Sequence, residues 1–248
     1  MASTHAFSQH ATLKEMEQDL LRTSGKLFSF YGTDEDSLAE QSEVFATKLI
    51  KYVTANPSTL EYSFKALKDT NACWIATSAD GLFRIYSWDT WTGGTMHVFD
   101  KLYQWKAGGK VHSLHIKPGE QSAGSFYGEM FTVTEKNKTW YFAVGNSIFS
   151  NKDARQSIQT FTIENGLIND SVKMFKTKKE FLNEINVDFD FFSVVDHPER
   201  PVRLIKYDPV KRIIYIPVVG DNGKVSNRFI LYQFNGKYFE HIVTQKPE

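Results

Sequence analysis

Cys73 is the only cysteine in this 248-residue chain. No disulfide can form within it, and no cysteine-rich zinc site can assemble. There is no surplus of charge either: 29 Lys and Arg stand against 29 Asp and Glu. That argues against a bulk electrostatic grip on nucleic acid or an anionic bilayer, since both need a positive excess. No apolar run approaches the roughly 18 residues of a spanning helix, so no transmembrane segment is expected. The chain contains no Gly-x-Ser-x-Gly, no His-Glu-x-x-His and no calcium-loop pattern. Nor does a glycine-rich loop lead from a strand into a helix to cradle phosphate. No cofactor is expected, and no metal.

Aromatic residues, by contrast, are abundant at 15%. They are unevenly placed. Residues 1–72 hold eight of them and no Trp, whereas all five Trp lie beyond Cys73. Aromatics favour pleated, half-buried surfaces, so the change near residue 73 marks a change of architecture. It divides a helical N-terminal layer, 1–72, from a β region, 73–248, expected to form one cooperative unit.

In the first part, Leu13, Met16, Leu20, Leu21 and Leu27 recur near a 3.6-residue period. Thr12 and Glu15 have the spacing of a capping box, and Gly25 is expected to end or kink this helix. A second helix is predicted from Thr33-Asp34, with Glu35 and Asp36 in its first turn, where negative charge suits the dipole. Its stripe is Leu38, Val44, Phe45, Leu49, Ile50 and Val53. Asn56-Pro57 stops it. Ser58 caps a short third helix with Leu60, Phe64 and Leu67.

Beyond Cys73, turn dipeptides punctuate apolar-aromatic runs: Asp80-Gly81, Gly93-Gly94, Gly108-Gly109, Lys136-Asn137, Asn165-Gly166, Asp208-Pro209, Asn222-Gly223 and Asn235-Gly236. Connections this short cannot make parallel crossovers, so about thirteen antiparallel strands are expected, largely as a meander. A helix is expected at Lys178–Ile185 and a strand at Phe191–Val195. The stretches 74–116, 126–175 and 190–243 form a loose repeat of paired hairpins. Adjacent apolar pairs such as Tyr141-Phe142 and Ile213-Ile214 suggest strands covered on both faces. The fold class is thus α+β: N-terminal helices on a large antiparallel β-meander, with propeller-like, barrel-like and two-layer sandwich forms left open.

Residues able to carry chemistry concentrate in Tyr86–His97, which holds Trp88, Asp89, Trp91, a double glycine and His97. A three-residue loop at Thr92-Gly93-Gly94 places Asp89 opposite His97, where the carboxylate raises imidazole basicity. A two-residue loop puts Thr90 there instead. Asp89 and His97 are the acid-base candidates, set against an ordinary hydrogen-bonded hairpin. Trp88, Trp91, Thr95 and Trp105 are the ligand-binding candidates, because exposed rings stack sugars; core packing is the competing reading. His112 and His115 point to opposite faces of a strand, and Cys73 reads as a small buried apolar residue. Asp188, Asp190, Asp196 and Glu199 form an acidic region that reads as solvated loop.

The segment Phe83–Thr90, followed by Thr92–His97, resembles a stretch in uncharacterised envelope or secreted proteins of Bacteroidota-type bacteria. Asn56–Leu60 and Ala79–Gly81 fit the same group. The resemblance implies export, and hence a periplasmic or extracellular location after signal removal. Met1–His5 lack the basic and apolar segments of a signal, which leaves a cytoplasmic location as the alternative. No catalytic residue follows from the resemblance. The expectation is a non-catalytic binding module with an unknown protein or carbohydrate ligand. A hydrolase of carbohydrate or cell-wall polymer and a structural scaffold subunit are the alternatives.

Overall fold

The computed structural model describes residues 11–119, 122–194 and 202–245. Helix α1, Leu13–Phe30, starts with the capping box: Glu15 N donates to Thr12 Oγ1 while the Glu15 carboxylate accepts from Thr12 N at 2.7 Å. It runs through Gly25 without ending there. Leu20 and Leu27 are buried on either side of the glycine, and that docking outweighs a helix-propensity cost of about 1 kcal/mol. Helix α2, Glu35–Ala55, is capped by Asp34. The expected third helix splits into a single turn at Pro57–Leu60 and helix α3, Lys65–Asp69, with Phe64 between them at φ 44°. Glu17 of α1, 6% exposed, supplies the missing cap: its Oε1 accepts Ala66 N at 2.8 Å and Leu67 N at 3.3 Å.

Among the described residues the strands fall into three sheets. The first orders β1 (Trp74–Thr77), β2 (Phe83–Asp89), β3 (Phe99–Ala107) and β4 (Lys110–Ile116) as an antiparallel meander. Then come β5 (Phe126–Glu135), β6 (Lys138–Ile148), β7 (Asp153–Glu164), β8 (Leu167–Asn169), β9 (Phe175–Lys176), β10 (Phe181–Leu182) and β11 (Glu184–Asp190). The second sheet is ordered β11-β7-β6-β5, with β8 also paired to β7. The last strands are β12 (Lys206–Asp208), β13 (Ile213–Val219), β14 (Val225–Phe234) and β15 (Phe239–Gln245). They join β9 and β10 in the third sheet, β10-β9-β15-β14-β13-β12. Pairing is antiparallel except between β15 and β9. The three loose repeats of the sequence correspond broadly to these sheets.

Why strands read as apolar on both faces is now plain. On β2, Tyr86 and Trp88 pack against the helices with Leu20, Phe45 and Leu49. Phe83 and Ile85 point the other way, onto Tyr141 and Phe161 of the second sheet. On β6, Trp140, Phe142 and Val144 alternate with Tyr141 and Ala143, and face Phe175, Ile214 and Phe239 of the third sheet. The order of layers is therefore helices, first sheet, second sheet, third sheet. Hydrogen bonds tie the first two sheets together, such as Tyr127 N to Ser87 Oγ at 2.8 Å and Trp105 Nε1 to Gly166 O at 2.9 Å. The packing is not all apolar. Arg84, 5% exposed, donates to Thr59 O at 2.7 Å and Tyr62 O at 2.6 Å, fixing the turn after α2 to β2.

Two local expectations fail. Lys178–Ile185 is not a helix. Thr177 N donates to Glu180 O at 2.9 Å, and Thr177 Oγ1 accepts Lys179 N and Glu180 N at 3.1 and 3.0 Å. A side chain that satisfies local backbone donors favours a turn over a helix, and β10 and β11 follow. Phe191–Ser193 forms a short helical turn in place of a strand, because Asp190 accepts Phe192 N at 2.9 Å as its cap. Val195 lies outside the described residues.

Candidate functional site

The chain between β2 and β3 is not a tight hairpin. Asp89 pairs with Phe99 across the ladder, so residues 90–98 form a projecting loop and neither short register applies. The loop nevertheless folds back so that His97 Nδ1 donates to Asp89 Oδ2. The second carboxylate oxygen, Oδ1, accepts Trp91 N–H at 2.8 Å. Asp89 thus grips both arms of the loop while its own side chain is only 3% exposed. Thr90 N and Oγ1 both donate to Val98 O, at 2.9 and 3.0 Å. His97 N donates to Ile148 O of β6 at 3.1 Å. At Gly93 a Cβ would sit 1.8 Å from Met96 O, so no other residue fits there without moving the backbone.

This clamp holds Trp91 at φ 60°. A bulky side chain in the left-handed region costs roughly 1–3 kcal/mol, and such strain concentrates at functional positions. The half-buried indole meets Phe28 edge-on at 4.8 Å and Tyr31 at 5.1 Å between ring centroids, with His97 at 5.6 Å. Phe28 and Tyr31 are 42% and 49% exposed. Beside them, between the α1–α2 turn and the loop, lies a groove of about 640 Å³, within the usual range for small-ligand sites. Tyr31, Trp91, Thr33 and Thr92 line it, with Glu35 and Asp36 at the start of α2. Thr95 is exposed on the same loop. Asp89 and His97 sit behind Trp91 and are not part of the lining.

The other tryptophan candidates have no ring face free for a ligand. Trp88 is 1% exposed, packed on Phe45 and stacked with His115; Trp105 is 5% exposed and stacked with His112. Alternation along β4 separates the two histidines. His115 Nε2 engages both Asp100 oxygens at 2.8 and 2.9 Å, on the helix side. Among the described residues no three metal-ligating side chains gather. Cys73 is fully buried, and that burial pushes its thiol up to about 12. Asp188 pairs with Arg155 at 2.9 Å, and Asp196 and Glu199 lie outside the described residues. The sequence offered no signal that Phe28, Tyr31, Glu35 and Asp36 belong with Trp91. They read as a helix end and a helix start, and only docking of the helices on the first sheet brings them to the loop.

The hydrogen bond to Asp89 raises the His97 imidazole above its ordinary value, against the opposing effect of burial. The raised folded value means that the charged pair stabilises the loop fully below about pH 6.5, the unfolded value. That contribution is lost as pH rises through the higher folded value. In Asp89→Asn, His97 is expected to titrate closer to its ordinary value, and the pH dependence of Trp91 fluorescence is expected to shift down with it. An unchanged His97 titration by NMR would refute the clamp. Compared with known proteins, the chain matches no family model and no curated protein sequence.

Proposed function

We propose that this chain is a non-catalytic binding module of the cell envelope or extracellular space, and that it seats a sugar ring against Trp91 and Tyr31. The observation that carries this reading is the strained, clamped Trp91 beside two exposed rings at a groove. Exposed aromatic surface of this kind is a marker of recognition, and a pre-set ring loses little freedom on binding. The envelope setting rests on the resemblance of residues 83–97. The hydrolase alternative makes Asp89 or His97 the acid or base, but both Asp89 oxygens are engaged within the loop. The scaffold alternative predicts oligomers and needs no groove.

The test is calorimetric titration of the intact chain with a panel of neutral and charged oligosaccharides. A binding sugar is expected to perturb Trp fluorescence, and Trp91→Ala and Tyr31→Ala are each expected to weaken binding about tenfold or more, a loss of roughly 1.4 kcal/mol or more. Buried Trp105→Phe serves as the control that leaves affinity unchanged. Turnover of a bound sugar, or binding that survives Trp91→Ala, would overturn the reading.

A further inference from the structure

The groove's charge narrows its ligand, given the sugar-platform reading on which this step rests. Glu35 and Asp36 line it, and no Lys, Arg or His among the described residues does. Neither carboxylate has an ion-pair partner among the described residues. The neighbouring Asp34 differs: its carboxylate accepts Ser37 N at 3.0 Å and Ser37 Oγ at 2.6 Å, and these bonds hold it below the usual carboxylate range. Asp34 caps the positive end of α2, worth about half a charge, and Glu35 and Asp36 share that first turn. Glu35 and Asp36 add two more negative charges in the direction of the groove.

Tyr31 and Trp91 line the same groove, and the faces of such rings carry negative potential and attract organic cations. An anionic sugar would meet repulsion from the carboxylates and from the ring faces. A neutral sugar can donate hydroxyl hydrogen bonds to the carboxylates but leaves their two charges uncompensated. We infer that the groove selects a sugar bearing an ammonium group: an amino sugar whose pyranose ring lies on Trp91 and whose protonated amine points to Glu35 and Asp36. Surface charge pairs are weakened by salt, with a screening length near 10 Å at 0.1 M, which makes the ammonium contribution separable from stacking.

The experiment titrates the intact chain with two tetramers that differ at the 2-amino group, acetylated and neutral in the tetramer of N-acetylglucosamine, free and protonated in that of glucosamine; the salt series separates the charge from the loss of the acetyl group. Both are run at low and high salt, at a pH where the free amines are protonated. The expected result is that the glucosamine tetramer binds about tenfold tighter at low salt, that this preference falls at high salt, and that it disappears in Glu35→Gln/Asp36→Asn. Circular dichroism checks that α2 survives the double substitution, and the salt series on the wild-type chain gives the answer if it does not. Equal affinity for both tetramers would overturn the ammonium inference and leave the sugar platform standing. Binding of neither would overturn both. Tighter binding of a tetralysine peptide than of either sugar would overturn the amino-sugar assignment in favour of a peptide.

Discussion

Gln156→Leu is expected to destabilise the fold by ~3–5 kcal/mol, although the substitution places an apolar side chain of similar size at a site only 2% exposed. The reason is the number of groups that one amide serves. Gln156 Nε2 donates to Asn146 Oδ1 at 2.8 Å and Val202 O at 2.7 Å. Its Oε1 accepts Leu204 N at 3.1 Å and Ile205 N at 2.7 Å. This one side chain stitches residues 202–205 to β7. Leucine would leave two buried N–H groups and a buried carbonyl unpartnered, and each such orphan costs about 1–3 kcal/mol. Val202, Leu204 and Ile205 are all buried, so detaching the segment would also expose apolar surface. For a chain this long the expected fall in melting temperature is roughly 6–20 °C. Gln156→Glu keeps the two acceptor contacts and is expected to fall between wild type and Gln156→Leu at low pH. A leucine variant within ~1 kcal/mol of wild type would mean that water replaces the amide.

Phe142→Ala is the second large effect. Phe142 is fully buried between the second and third sheets, 5.8 Å from Phe175 and 5.1 Å from Phe239 between ring centroids. Truncation opens a cavity among rings that β6, β9 and β15 hold in place and that cannot easily collapse. The expected cost is ~3–5 kcal/mol, the range for Phe→Ala in a rigid core. Phe142→Leu is expected to recover part of it, since leucine refills some of the cavity that alanine leaves. The two substitutions also differ in kind. Denaturant melts monitored by Trp fluorescence and by circular dichroism would show whether the interface between these sheets unfolds together with the helices. If Phe142→Ala costs less than ~1 kcal/mol, the stacking of the two sheets at this point is wrong.

Local chemistry was readable wherever a few adjacent residues decide the outcome. Thr12 and Glu15 form the expected capping box because its partners are three residues apart. Turns such as Lys136-Asn137 and Asn165-Gly166 stand between β5 and β6 and between β7 and β8, with Lys136, Asn165 and Gly166 at positive φ. Strands with two apolar faces announced interior sheets, since water on one face would have imposed alternation. Misreadings arose where a side chain competes for the backbone. Thr177 and Asp190 accept local N–H groups and turn the chain, while the apolar spacing at Phe181, Leu182 and Ile185 suggested a helix.

The class of fold and the change from helix to strand near Cys73 were properties of the chain read in one dimension. They follow from periodicity and turn preference, which depend on neighbours. Which tryptophan reaches the surface was decided only by tertiary structure. Trp88 and Trp91 are three residues apart, yet one is buried under α2 and the other is half-buried at the groove in a left-handed conformation. Burial is set by what packs on top, and the packing partners Phe28, Tyr31 and Phe45 come from the helical region 43 to 63 residues earlier in the chain.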